Sequence, residues 1–135
     1  LANDEGPIRV VADQHGTPTR ARSLAQVTQK LLHAAHNTDS NWWSRHSGIY
    51  HACAPDYTTW FTFAQHIISA FAGEERAQQV EPITTEQFPT PAQRPPWSVM
   101  SSKKLLTTHQ IQMKPWRDQV DGLLQELDQN RALGV

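Results

Sequence analysis

Apolar and polar positions along this chain fall into short runs that predict its elements one by one. Ile8 to Ala12 (IRVVA) is rich in β-branched residues and bounded by Gly6-Pro7 and Asp13–Gly16, which predicts a strand ending in a turn. The turn continues through Gly16-Thr17-Pro18-Thr19, where Thr17 or Thr19 offers a helix cap. From about Arg20 to Ala35, Leu24, Val27, Leu31 and Ala35 recur at three- and four-residue steps, the spacing of an amphipathic helix. Asn37 to Ser47 reads as a polar loop holding Trp42 and Trp43.

Gly48 to Cys53 (GIYHAC) predicts a second strand, ended by Pro55-Asp56. Thr58 or Thr59 then caps a helix from about Thr59 to Ala72. Trp60, Phe63, Ala64, Ile67, Ile68 and Phe71 give it a wide apolar face, and Gly73 stands where a helix stops. Val80 to Thr84 predicts a short strand, and Ser101 or Ser102 caps a brief helix through Thr107. Lys114-Pro115 opens a last helix that buries Trp116, Val120, Leu123, Leu124 and Leu127 and frays toward Gly134. Strands followed by helices predict an α/β chain whose few short strands belong to a larger sheet.

The segment from Val80 to Val99 breaks this pattern, with five of the nine prolines. Its apolar residues Ile83, Phe88, Trp97 and Val99 call for something to pack on. A loop pinned by them would hold Arg94 and the Thr84, Thr85 and Thr90 hydroxyls in place, as a binding loop does. A proline-rich connection over a core reads similarly.

Composition changes little. A length of 135 residues fits one domain, residues 1–135, and 38% hydrophobic with 19% charged residues suits a soluble globular chain. The net charge of -1 gives no general pull toward nucleic acid or anionic membrane. No apolar run approaches a membrane span, and LANDEGPIRVV lacks the regions of a secretory signal. One cysteine, Cys53, forms no internal disulfide, and the chain is expected to be cytoplasmic.

Candidate chemistry is sparse. The six glycines never approach GxGxxG or a P-loop, so no nucleotide cofactor is expected on this chain alone. Tyr50 and Tyr57 are followed four residues on by Ala54 and Phe61, not lysine. His33 and His36 share a helix face and His51 and Cys53 a strand face, but three or four converging metal ligands are missing from the pattern. Cys53, on a strand, reads as a buried thiol rather than a nucleophile. Arg94, held between prolines, presents a guanidinium fork suited to phosphate or carboxylate, or braces its own loop. Trp97 either stacks on a base or anchors the loop in the core.

Several of these stretches share a pattern with one family. IRVVADQHGTPTRARSLAQVTQKLL resembles the VVxDQxGxPT segment and following helix of dTDP-4-dehydrorhamnose reductases. GIYHACAPDYTTWFTFAQHI resembles their GxYHxxxxxxTxWxxFAxxI unit, and PITTEQFPTPAQRPPWSVMSSKKL their PITTxxxPTPAxRPxxSxLxxxKL loop. PWRDQVDGLLQEL is similar to the closing helix, so the resemblance runs from about residue 8 to 127 in order.

The resemblance implies a partial Rossmann-like C-terminal substrate domain with three to four helices. In that family the N-terminal half carries the NADPH site and the Thr, Tyr and Lys catalytic group, so no catalytic residue is expected here. The implied reaction reduces dTDP-6-deoxy-L-lyxo-4-hexulose to dTDP-L-rhamnose with NADPH. By analogy with arginine-proline motifs of sugar-nucleotide enzymes, Arg94 is expected to meet the diphosphate. Gln14, Thr17 and Thr19 line the sugar pocket or only set the turn, and Trp97 is a weaker substrate contact. The expected partners are the dTDP-sugar and an NADPH-binding domain, with pairing to a second copy through exposed sheet edges left open. The alternative is a reductase-like module that binds a partner without catalysis.

Overall fold

A computed structural model describes residues 6–133, with the side chains of 6–132. The expectations that fall on residues 1–5 and on Gly134 lie outside the described residues. The chain sorts into two compact units, 6–16 with 57–99, and 17–56 with 100–133.

The first unit is built on a parallel pair. Strand β1 (Ile8–Val11) runs beside β4 (Val80–Ile83), with Ile8 opposite Val80 and Val11 opposite Ile83. Ala12 N–H extends the ladder to the Ile83 carbonyl at 2.9 Å. A smaller antiparallel pair joins β2 (His15–Gly16) to β3 (Thr58–Thr59). Helix α3 (Trp60–Ala72) follows directly, and the Thr59 hydroxyl accepts the Thr62 N–H at 3.1 Å as its cap. Gly73 ends it at φ 86 and ψ 165, a backbone region almost reserved for glycine, and α4 (Glu74–Gln78) starts from the same residue.

Helix α3 packs on β1, β4 and α4, but no residue of it is fully buried, and Trp60 and Phe71 stay half exposed. The wide apolar face read from the sequence exists, and two strands are too narrow to cover it. Parallel strands normally sit in sheets covered on both faces. The buried apolar residues of this unit are Ala77, Val80 and Ile83.

The second unit is helical. It contains α1 (Ala21–His36), α2 (Trp42–His46), α5 (Lys103–His109) and α6 (Trp116–Leu133). Val27, Leu105, Ile111 and Met113 form its core, with Leu31, Tyr50 and Ala52 packed on it. Glu126 of α6 pairs with both Arg20 and Arg22 at the start of α1. The Asp56 carboxylate accepts the Trp116 N–H at 2.9 Å, fixing the start of α6.

The structure corrects five expectations. Gly48 to Cys53 forms no strand, because no neighbouring strand takes its backbone groups. Ile49 instead lies 82% exposed, and its carbonyl accepts from Lys104 Nζ at 3.0 Å. Trp42 to His46 is a helical turn rather than loop, with Trp42 buried and stacked on His46. Helix α1 has no side-chain cap from Thr17 or Thr19; the Arg20 N–H goes to Gln119 Oε1 at 3.0 Å instead. In α6, Trp116 is buried, whereas Leu123 and Leu127 remain exposed. Six helices are present among the described residues, not three to four, since α2 and α4 are only five residues each.

Candidate functional site

The proline-rich segment begins with a 3-10 turn, Thr85–Gln87. Thr84 and Gln87 bond each other reciprocally as a capping box. Asp13, just past β1, holds the turn from outside: its Oδ1 accepts the Thr85 hydroxyl at 2.7 Å, and the Thr85 N–H is 3.0 Å from each carboxylate oxygen. These bonds keep the Asp13 carboxyl below its ordinary pKa. Gln14, buried beside it, donates from Nε2 to Thr85 Oγ1 at 3.1 Å.

A pocket of about 260 Å³ opens within the first unit. Arg9, Val10 and Val11 of β1 form one wall, Trp60 at the start of α3 another, and Phe88, Thr90 and Arg94 of the proline segment a third, with Gln14 among them. Two arginines, Arg9 and Arg94, are among its lining residues, and no acidic residue is. Among the described residues neither the Arg9 nor the Arg94 side chain has an ion pair or hydrogen bond. Two arginines without a carboxylate partner, beside apolar walls, suit an anionic group, above all a phosphate or diphosphate joined to something flatter.

The structure brings Gln14, Thr90 and Arg94 to this pocket and leaves Thr17, Thr19 and Trp97 out of its lining. Thr17 and Thr19 belong to the second unit, where the Thr19 hydroxyl donates to the Thr17 carbonyl at 2.9 Å and accepts the Ala54 N–H at 3.3 Å. Trp97 is not anchored in a core; it lies 55% exposed against His15 and Tyr57. Phe88 likewise is exposed rather than a pin, and of the four apolar residues expected to fix the segment Ile83 is the fully buried one. Arg9 and Trp60 were not legible as site residues. Their presence depends on β1 lying beside α3, which spacing within either stretch does not reveal.

Cys53 is buried and its thiol donates to the Met100 carbonyl at 3.3 Å. Burial pushes its pKa up, with a hydrogen bond involving Thr17 opposing, so it stays a protonated core thiol. Among the described residues no three His, Cys, Asp or Glu side chains gather as a metal site would require. No helix of them is long and apolar enough to cross a membrane. A dinucleotide does not fit this donor set either. β1 leads to the Asp13 carboxylate where a dinucleotide fold offers glycine N–H groups to a pyrophosphate.

Comparison with known proteins extends the picture. Residues 1–129 match the family model described as RmlD substrate binding domain. A dTDP-4-dehydrorhamnose reductase of Burkholderia thailandensis is 34% identical over 122 residues, covering 87% of this chain and 41% of that protein. The crystal structure of dTDP-4-dehydrorhamnose reductase from Bacillus anthracis, in complex with NADP, superposes with a TM-score of 0.75 at 29% identity, over 93% of this chain and 40% of that one. The Clostridium acetobutylicum orthologue gives 0.70 at 31% identity, over 90% of this chain and 39% of its own. The chain therefore spans about two fifths of the length of the relatives it matches.

Proposed function

The chain belongs to the RmlD substrate binding domain family, and we propose that it is the part of a dTDP-4-dehydrorhamnose reductase that grips the dTDP-sugar. The observation that carries this reading is the pocket whose lining includes Arg9 and Arg94, two arginines whose side chains have no partner among the described residues. Arg94 meets the diphosphate, Arg9 shares its charge, and Gln14 and Thr90 offer polar atoms to the sugar. Thr17 and Thr19 act by setting the turn that follows Gln14, and Trp97 serves the nucleotide end.

The reaction is reduction of the C4 ketone of dTDP-6-deoxy-L-lyxo-4-hexulose, giving dTDP-L-rhamnose. This chain's contribution is orientation: holding the diphosphate fixes where the ketone sits, which lowers the barrier by proximity. NADPH is the reductant of the whole enzyme and is held by residues outside this chain. The edges of the β1–β4 pair that face no strand among the described residues are where further sheet, or a second copy of the chain, adds on. A cytoplasmic setting agrees with the free thiol of Cys53.

The test is titration of the purified chain with dTDP, read by thermal shift. At 100 times the dissociation constant the ligand adds about 2.7 kcal/mol to a chain that binds only when folded. Arg94→Ala is expected to weaken binding about tenfold or more, the loss of a charged hydrogen bond. No shift with dTDP would favour the non-catalytic binding module instead.

A further inference from the structure

Trp97 is a large ring held open to solvent on a backbone fixed on both sides. The His15 N–H donates to the Pro96 carbonyl at 2.8 Å, and the Ser98 N–H donates back to the His15 carbonyl at 2.9 Å. The Ser98 hydroxyl reaches the same carbonyl at 2.9 Å. Gly16 permits this approach, since a Cβ there would stand 3.2 Å from Ser98 Oγ. His15 also pairs with Thr59 in β3, two residues beyond Tyr57. Three rings close into a triangle, with centroids 5.1 Å apart for His15–Trp97, 5.0 Å for Tyr57–Trp97 and 6.1 Å for His15–Tyr57. Tyr57 and Trp97 are each more than half exposed.

We propose that His15, Tyr57 and Trp97 form a stacking platform for the pyrimidine base of the bound nucleotide. The proposal rests on the reading of the Arg94 pocket as a diphosphate site. Each ring stands within three residues of a pocket residue: His15 follows Gln14 directly, Tyr57 precedes Trp60 by three, and Trp97 follows Arg94 by three. Three residues span at most about 11 Å, the scale of a nucleotide rather than of a second, separate ligand. The base is the part of a nucleotide-sugar with two flat apolar faces; the sugar carries hydroxyls around its rim and suits Gln14 and Thr90. Tyr57 and Trp97 meet at 58°, so a planar ring laid on one presents its edge to the other.

The experiment compares dTDP with inorganic pyrophosphate, which has no base, by calorimetric titration of the full chain. Trp97→Ala is expected to lose dTDP affinity on the order of tenfold, the range of base–aromatic stacking. Trp97→Phe keeps most of that affinity, and Tyr57→Ala loses part of it. Pyrophosphate affinity stays the same in all three, whereas Arg94→Ala weakens both ligands. If Trp97→Ala binds dTDP as the parent chain does while Arg94→Ala does not, the platform is wrong and the diphosphate site stands. Equal loss of dTDP and pyrophosphate in Trp97→Ala also overturns the platform, because the loop rather than the stack would then have failed. A parent chain that binds neither ligand overturns both.

Discussion

The Asp13 carboxylate takes both hydrogen-bond donors of Thr85, the backbone N–H and the hydroxyl, across 72 residues of sequence. It thereby latches the end of β1 to the turn from which Phe88, Thr90 and Arg94 are hung. An exposed carboxylate used this way contributes geometry more than bulk stability.

Because these bonds hold the folded Asp13 below its ordinary 3.8, the latch is at full strength above that pH. It is lost as pH falls further, through the depressed folded value. The Thr85 amide resonance should therefore hold steady above pH 3.8 and move only below it, and Asp13→Asn should abolish the step. A step centred above 3.8 would contradict the latch.

A second titration belongs to the helical unit. His109 lies 5.4 Å from His46, 4.9 Å from Tyr50 and 5.6 Å from Trp42, with Lys104 over the Tyr50 ring. Burial first, then the neighbouring His46, lowers the His109 pKa from 6.5. The neutral ring is thus the folded form, and its contribution is complete above pH 6.5 and declines as pH falls through the lowered value. The melting temperature should drop as pH falls below 6.5. His109→Phe, which keeps a ring in place, should flatten that slope; an unchanged slope would assign it to other groups.

Leu105 is 1% exposed at the centre of the helical core. Leu105→Ala should cost about 2–5 kcal/mol in urea unfolding, and Leu105→Met under about 1.5 kcal/mol. A loss below 1 kcal/mol for the alanine variant would mean that α1 and α5 do not share a packed core.

Much of this architecture was legible where a single residue carries the local physics. Thr59 as a cap needed only its own hydroxyl and Gly73 as a stop only its lack of a side chain, and both stand where the pattern put them. Gly48–Cys53 failed for the opposite reason: a strand also needs an edge to pair with, and no strand among the described residues pairs with it. α2 and α4 were too short for periodicity to register. For α2 the signal was in Asp39-Ser40-Asn41, where Asp39 Oδ1 accepts the Asn41 N–H at 2.8 Å just before Trp42. In the pocket, Arg94 was visible because prolines framed it. Arg9 was hidden, because one arginine in a short strand looks like any solvent-facing position until β1 is laid beside α3.

The pairing of β1 with β4 also dictates an order of events during synthesis. Val11 leaves the ribosome 72 residues ahead of its partner Ile83. At 5–20 residues per second that is roughly 4 to 14 seconds. Meanwhile the intervening chain has to close a long loop, which slows such contacts. Through that interval IRVV lacks the β4 neighbour it has in this structure, which leaves its edge open to a chaperone or to another copy of the chain.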